Sequence, residues 1–153
     1  MPHLATYVGL VDHSEQVLGE SFRLVAEGHA HVADVHHLCL TLAGMSDDHR
    51  RRLAPVVERY GEQEVDEPER LRADALPQTR EGEVGLLRDL QDLHLLATLV
   101  KSTWMVIGQG ARGLRDDELL KIASASEADV DRQLTWLTTR IKVTAPQALI
   151  VAP

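Results

Sequence analysis

Five polar side chains stand where apolar ones are expected along the helical stripes of this chain: Glu15, His29, His36, His49 and Glu127. A polar group inside a helical bundle costs free energy unless it is paired or reaches water. Imidazole beside carboxylate is also the donor set of a transition-metal site, and two His with one carboxylate suit iron, zinc or manganese. His29, His36 and Glu127 are therefore the candidate metal ligands. The same groups would serve as an acid/base pair, since burial moves their pKa values toward neutrality. Tyr60, His49, His94 and Trp104 are candidates for lining a small-ligand pocket. His31 and His37 neighbour the run but face other directions on a helix, so they are read as surface residues.

Helices must position these groups. Positions 11, 15, 18, 22, 25, 29, 32, 36, 39 and 43 step by four and three without a slip. Such spacing puts them on one face of a single helix over about 4–44. Gly44-Met45-Ser46 then reads as a turn, with Ser46 the N-cap of a second helix over 46–61. Pro55 is expected to bend or loosen that helix. A third helix over 82–112 carries Leu86, Leu90, Leu93, Ala97, Val100, Trp104, Ile107 and Ala111 on one stripe. A fourth over 116–143 is capped by Asp116 or Asp117 and stopped by Pro146. The apolar tail 144–153 is expected to dock.

The segment 61–81 is acidic, holds Pro68 and Pro77 and lacks an apolar stripe. It reads as a long loop with a helical turn near 67–75. No segment alternates as a strand would. The fold class is all-α: one domain over 1–153, a four-helix bundle of two helical hairpins joined by a long loop. With the first turn near residue 45, a rise of about 1.5 Å per residue brings His29, Tyr60 and Glu127 together at mid-height. His36 falls a turn or two away.

Composition narrows the function classes. The 153 residues carry a formal net charge of −8, with 44% hydrophobic and 26% charged residues. That is globular, and the charge argues against a nucleic-acid partner. One cysteine, Cys39, excludes an internal disulfide and a cysteine zinc knuckle. No apolar run approaches the roughly 20 residues of a membrane span. There is no Lys or Arg before Arg23 and no long apolar run near the start, so the expectation is a cytoplasmic chain without a membrane partner.

Four helices, a long connection after the second, and mid-bundle His and Glu resemble the ferritin-like group over residues 11–143. Di-iron members of that group carry a Glu on two helices and Glu-x-x-His on the other two. Here Glu58 is followed at the third place by Gly61, Glu127 by Val130, and His29 stands where a Glu is expected. The resemblance thus implies the ferritin-like fold, and these departures from the family pattern imply a mononuclear site, or a lost one, in place of a di-iron centre. The functional expectation is binding of a metal ion or small ligand through the mid-bundle His/Glu cluster. The rival is a structural or protein-interaction module, a homodimer, with neither metal nor catalysis. A third reading is an apolar pocket for a fatty chain or haem.

Overall fold

The computed structural model describes residues 2–60 and 73–153. Four α-helices account for most of them: α1 (Pro2–Gly28), α2 (Ala33–Tyr60), α3 (Gly82–Leu114) and α4 (Asp117–Pro146). A π-helical turn, Gln147–Val151, runs on from α4. No strand occurs among the described residues. The fold is an all-α four-helix bundle.

The first corner is not where the spacing placed it. The chain turns at residues 29–32, and Gly44-Met45-Ser46 lies inside α2. The 4–3 rhythm hides this corner for a physical reason. Backbone bonds continue through it in helical fashion: His29 N–H donates to Val25 O, Val32 N–H to His29 O, and His36 N–H to Val32 O. Past the corner the buried stripe is offset from the expected one: Val32 and His36 are part-exposed, and Val35, Cys39 and Leu42 carry the core. Ser46 is not a cap; it is buried on the core stripe of α2 and accepts from Gln133 Nε2 at 3.3 Å. α2 also continues through the exposed Pro55, forgoing only the bond that Pro55 cannot donate.

Each helix buries one stripe. On α1 it is Val8, Val11, Glu15, Leu18, Phe22, Val25 and, at the corner, His29. On α2, Val35, Cys39, Leu42, Ser46, His49, Leu53 and Val56 repeat the spacing. Trp104 and Phe22 are the largest side chains fully enclosed. Such a stripe, rather than intrinsic propensity, is what stabilises helices of this kind.

The ends of the helices set the topology. Tyr60, closing α2, donates to Asp116 Oδ2 at 2.8 Å, just before α4. His29, leaving α1, meets Asp89 near the start of α3 at 2.7 Å. α2 and α3 thus run in the same direction. Residues 61–72 of the expected loop lie outside the described residues, as does most of the helical turn expected at 67–75. Ala73 and Leu76, which follow, are buried against the core. Around the bundle α1 packs on α2 and α3, and α4 packs on α3 and α2.

The turn from α3 to α4 uses Arg115 in the left-handed region, at φ 57°. Asp116 then caps α4 by accepting from Leu119 N–H at 3.1 Å. The tail docks through Ala148 alone among its described apolar residues; Leu149, Ile150 and Val151 face outward.

Candidate functional site

The early corner moves every polar stripe residue along the bundle. Glu15 sits near the middle of α1, His49 near the middle of α2, and Asp129 near the middle of α4. His49 is wholly buried between two carboxylates. Its Nδ1 lies 2.6 Å from Glu15 Oε2 and its Nε2 lies 2.9 Å from Asp129 Oδ2. From α3, Trp104 meets the His49 ring edge-to-face, with centroids 6.4 Å apart. All four helices thus contribute to one polar layer across the core.

The layer is sealed on three sides. Glu15 and His49 are enclosed, whereas the Asp129 side chain keeps 19% of its exposure. Asp129 Oδ1 accepts from Arg132 Nη1 at 2.8 Å, which links the layer to the surface. Burial pushes the Glu15 carboxyl above its usual range, against the opposing pull of the His49 hydrogen bond and charge. Burial alone would lower His49. The hydrogen bonds and charges of Glu15 and Asp129 outweigh it, and its pKa is raised. Both shifts favour holding protons within the layer, so Glu15 and His49 titrate as a coupled pair. Two atoms stay outside this pairing: among the described residues Glu15 Oε1 and Trp104 Nε1 make no hydrogen bond. The indole nonetheless lies near enough to the carboxyl to favour its ionised form.

Two carboxylates and an imidazole have the donor chemistry for a transition metal. Their arrangement does not fit one. The His49 ring stands between the carboxylates and spends one nitrogen on each, so neither nitrogen is left to ligate a metal shared with them. Among the described residues no three His, Cys, Asp or Glu side chains converge as a metal cage.

The structure does not bring the expected ligands His29, His36 and Glu127 together. His29, at the α1–α2 corner, is buried on Asp89. Asp89 is fully enclosed and also accepts from Arg80 N–H at 3.0 Å and Arg80 Nη1 at 2.8 Å. This trio fastens the end of the crossover to the corner. His36 places Nδ1 2.7 Å from the carbonyl oxygen of Ala26. Glu127 lines a shallow hollow with Arg112 and Gln109, toward the other end. The reason is the corner itself: a helix folded at 29–32 puts His29 at the end of the bundle instead of at mid-height.

The expected pocket residues separate as well. His49 and Trp104 share the central layer, Tyr60 closes the far end on Asp116, and His94 lies at the surface near Thr138. Cys39 is buried on the core stripe, and burial pushes its thiol up to about 12. Two important carboxylates escaped the sequence reading, Asp89 and Asp129. Each had a signal. Asp89 falls on the stripe between Leu86 and Leu93, and Asp129 lies between the buried Ser126 and Gln133 at steps of three and four.

The outside of the bundle offers a second candidate. Leu95, Val143, Leu149, Ile150 and Val151 are exposed by 68%, 60%, 72%, 81% and 66%. All belong to α3, α4 or the tail. Leu95 forms a ridge between two hollows of about 330 Å³ each. One lies toward α4, with His94, Ile141 and Lys142 on its wall. The other lies toward the end of the crossover, with Asp74, Pro77 and Asp92 on its wall. No helix among the described residues is long and apolar enough to cross a membrane.

The chain matches no family model, no curated protein and no solved structure.

Proposed function

We propose that this chain is an association module, a ferritin-like bundle that pairs with a second copy of itself through its α3–α4 face and tail. One observation carries the reading: five large apolar side chains on α3, α4 and the tail stand 60–81% exposed. Isolated exposed leucines are ordinary, but apolar groups gathered on one side mark interaction sites. Burying one such side chain fully is worth about 1.5–3 kcal/mol, enough for several to offset the entropy of association. The shared direction of α2 and α3 supports the ferritin-like reading of the bundle. The central layer then serves to fix the register of four helices, the role best attested for buried polar groups.

Sedimentation equilibrium over a wide concentration range tests this. A mass rising toward two chains is expected. A single-chain mass at every concentration would overturn the proposal.

A second reading holds a small polar ligand at the central layer. It is favoured by the two buried atoms without hydrogen bonds, Glu15 Oε1 and Trp104 Nε1. Native mass spectrometry of the purified chain tests it: a retained non-covalent mass that is lost in His49→Ala supports the reading, and a bare chain mass overturns it.

A further inference from the structure

We infer that the hollow between α3 and α4 beside Leu95 is a binding site for a short aliphatic carboxylate, with the carboxylate on Lys142 and the chain against Leu95 and Ile141. The inference goes beyond association and does not rest on it.

The walls follow from spacing and register. Gln91, His94 and Leu95 on α3 stand at offsets of three and four, which gather side chains on one side of a helix. Thr138, Ile141 and Lys142 on α4 repeat the same offsets. Two contacts fix how the helices meet. Lys101 lies on Asp131 at 2.6 Å; seven residues back on α3 and seven forward on α4, His94 Nε2 lies 3.5 Å from Thr138 Oγ1. The helices are therefore antiparallel, and Gln91 comes opposite Ile141 and Lys142. The hollow they enclose measures about 330 Å³. Pockets that hold small molecules run from about 300 to 1,000 Å³, so only a short ligand fits.

The chemistry of the walls selects the ligand. Four of the six residues carry hydrogen-bond donors: the Gln91 amide, the His94 ring, the Thr138 hydroxyl and the Lys142 ammonium. None carries a carboxylate, although acids outnumber bases by 24 to 16 in the chain. The nearest acid in sequence, Asp92, lines the opposite flank of α3 and is held by Arg80 at 2.8 Å. Lys142 is exposed, and no acceptor among the described residues holds its ammonium. An unpaired ammonium offers an anion a single point charge with three donors. Leu95 and Ile141 supply the apolar wall, and Leu95, 68% exposed, gains most from being covered. A phosphate would find neither an arginine fork nor a helix N-terminus here, and would leave that wall wet. One negative charge on a short apolar chain satisfies both halves of the hollow.

Proton NMR of the full chain at constant pH tests this with hexanoate as the probe. Hexanol supplies the chain without the charge, and acetate the charge without the chain. The His94 ring signal, identified by its loss in His94→Gln, should shift and saturate at millimolar hexanoate. Hexanol and acetate should each bind several-fold more weakly. Lys142→Gln should weaken hexanoate about fivefold, the scale of an exposed ion pair. Lys121→Gln, exposed about six turns away on the same helix, should leave binding unchanged. Light scattering on the same samples reports pairing separately, so loss of either property is read apart from the other. No saturable shift with hexanoate overturns the site. Equal weakening by the two lysine changes, or acetate binding as tightly as hexanoate, overturns it as well.

Discussion

His49 Nδ1 lies 2.6 Å from Glu15 Oε2, and both side chains are shut away from solvent at the middle of the bundle. Asp129 completes the arrangement at 2.9 Å from the other ring nitrogen. The buried Glu15 and the partly exposed Asp129, which also pairs with Arg132, flank one imidazole, so the proton on that imidazole determines whether the Glu15 carboxylate has a counter-charge in the core.

That arrangement fixes the sign of a pH dependence. His49 is raised above the 6.5 of an exposed imidazole. The folded chain therefore holds its proton more tightly than the unfolded chain does. The stabilisation is fully present below 6.5 and is lost as pH rises through the folded value. Glu15 is raised above 4.5 and acts in the same direction. Urea midpoints should fall from mildly acid to alkaline pH, and the fall should shrink in His49→Gln. A midpoint that rises with pH over that window would contradict the proton-holding layer.

Removing one member of the layer should cost more than removing it whole. His49→Ala leaves Glu15 buried without a partner, at about 3–5 kcal/mol. The joint change Glu15→Leu with His49→Leu should cost clearly less than the sum of the single changes. A double-mutant cycle in urea measures this, and additive losses would mean the pair is not coupled.

Asp89 should matter more than His29 at the corner. Asp89 accepts from His29 and twice from Arg80, whereas His29 has Asp89 as its side-chain partner. Asp89→Ala should therefore lower stability more than His29→Ala and speed amide exchange at Arg80. Equal effects from the two changes would show that Arg80 is not held through Asp89.

Two glycines predict opposite outcomes on replacement by alanine. A Cβ on Gly85 would lie 2.8 Å from the carbonyl carbon of Arg80, where the end of the crossover packs on α3. Gly85→Ala should destabilise by about 1–3 kcal/mol, as overpacking does. Around Gly44, inside α2, nothing approaches within 4 Å. Gly44→Ala should stabilise by about 0.5–1 kcal/mol through helix propensity. Thermal or urea melts separate the two signs.

The second hairpin was legible because its stripes are long and its turn is marked. Leu86 through Ala111 repeat without a slip, and Asp116 announces the cap. The first hairpin misled because the corner at 29–32 keeps helical hydrogen bonding, and apolar residues at 32, 39 and 43 let an unbroken rhythm be read across it while the core stripe of α2 restarts at Val35. Gly28 was the missed signal there: a Cβ on it would collide with Thr79 of the crossover. Glu15 and His49 stood out as polar residues on apolar stripes, yet their meeting depended on the corner. Asp129 was hidden because one residue's rotation decides whether a helix-edge carboxylate faces water or core. The direction of α3 relative to α2 was not legible, since periodicity carries no information about which end a loop returns to.

Self-association through the α3–α4 face is tested most directly by light scattering on the eluting chain. Wild type is compared with Leu95→Asp/Ile150→Asp, whose two positions are exposed and leave the core untouched. Circular dichroism confirms that both proteins are helical. Wild type should approach the mass of two chains with rising concentration, while the variant stays at one. Wild type at the mass of one chain throughout, or a variant that pairs as tightly as wild type, would contradict the account.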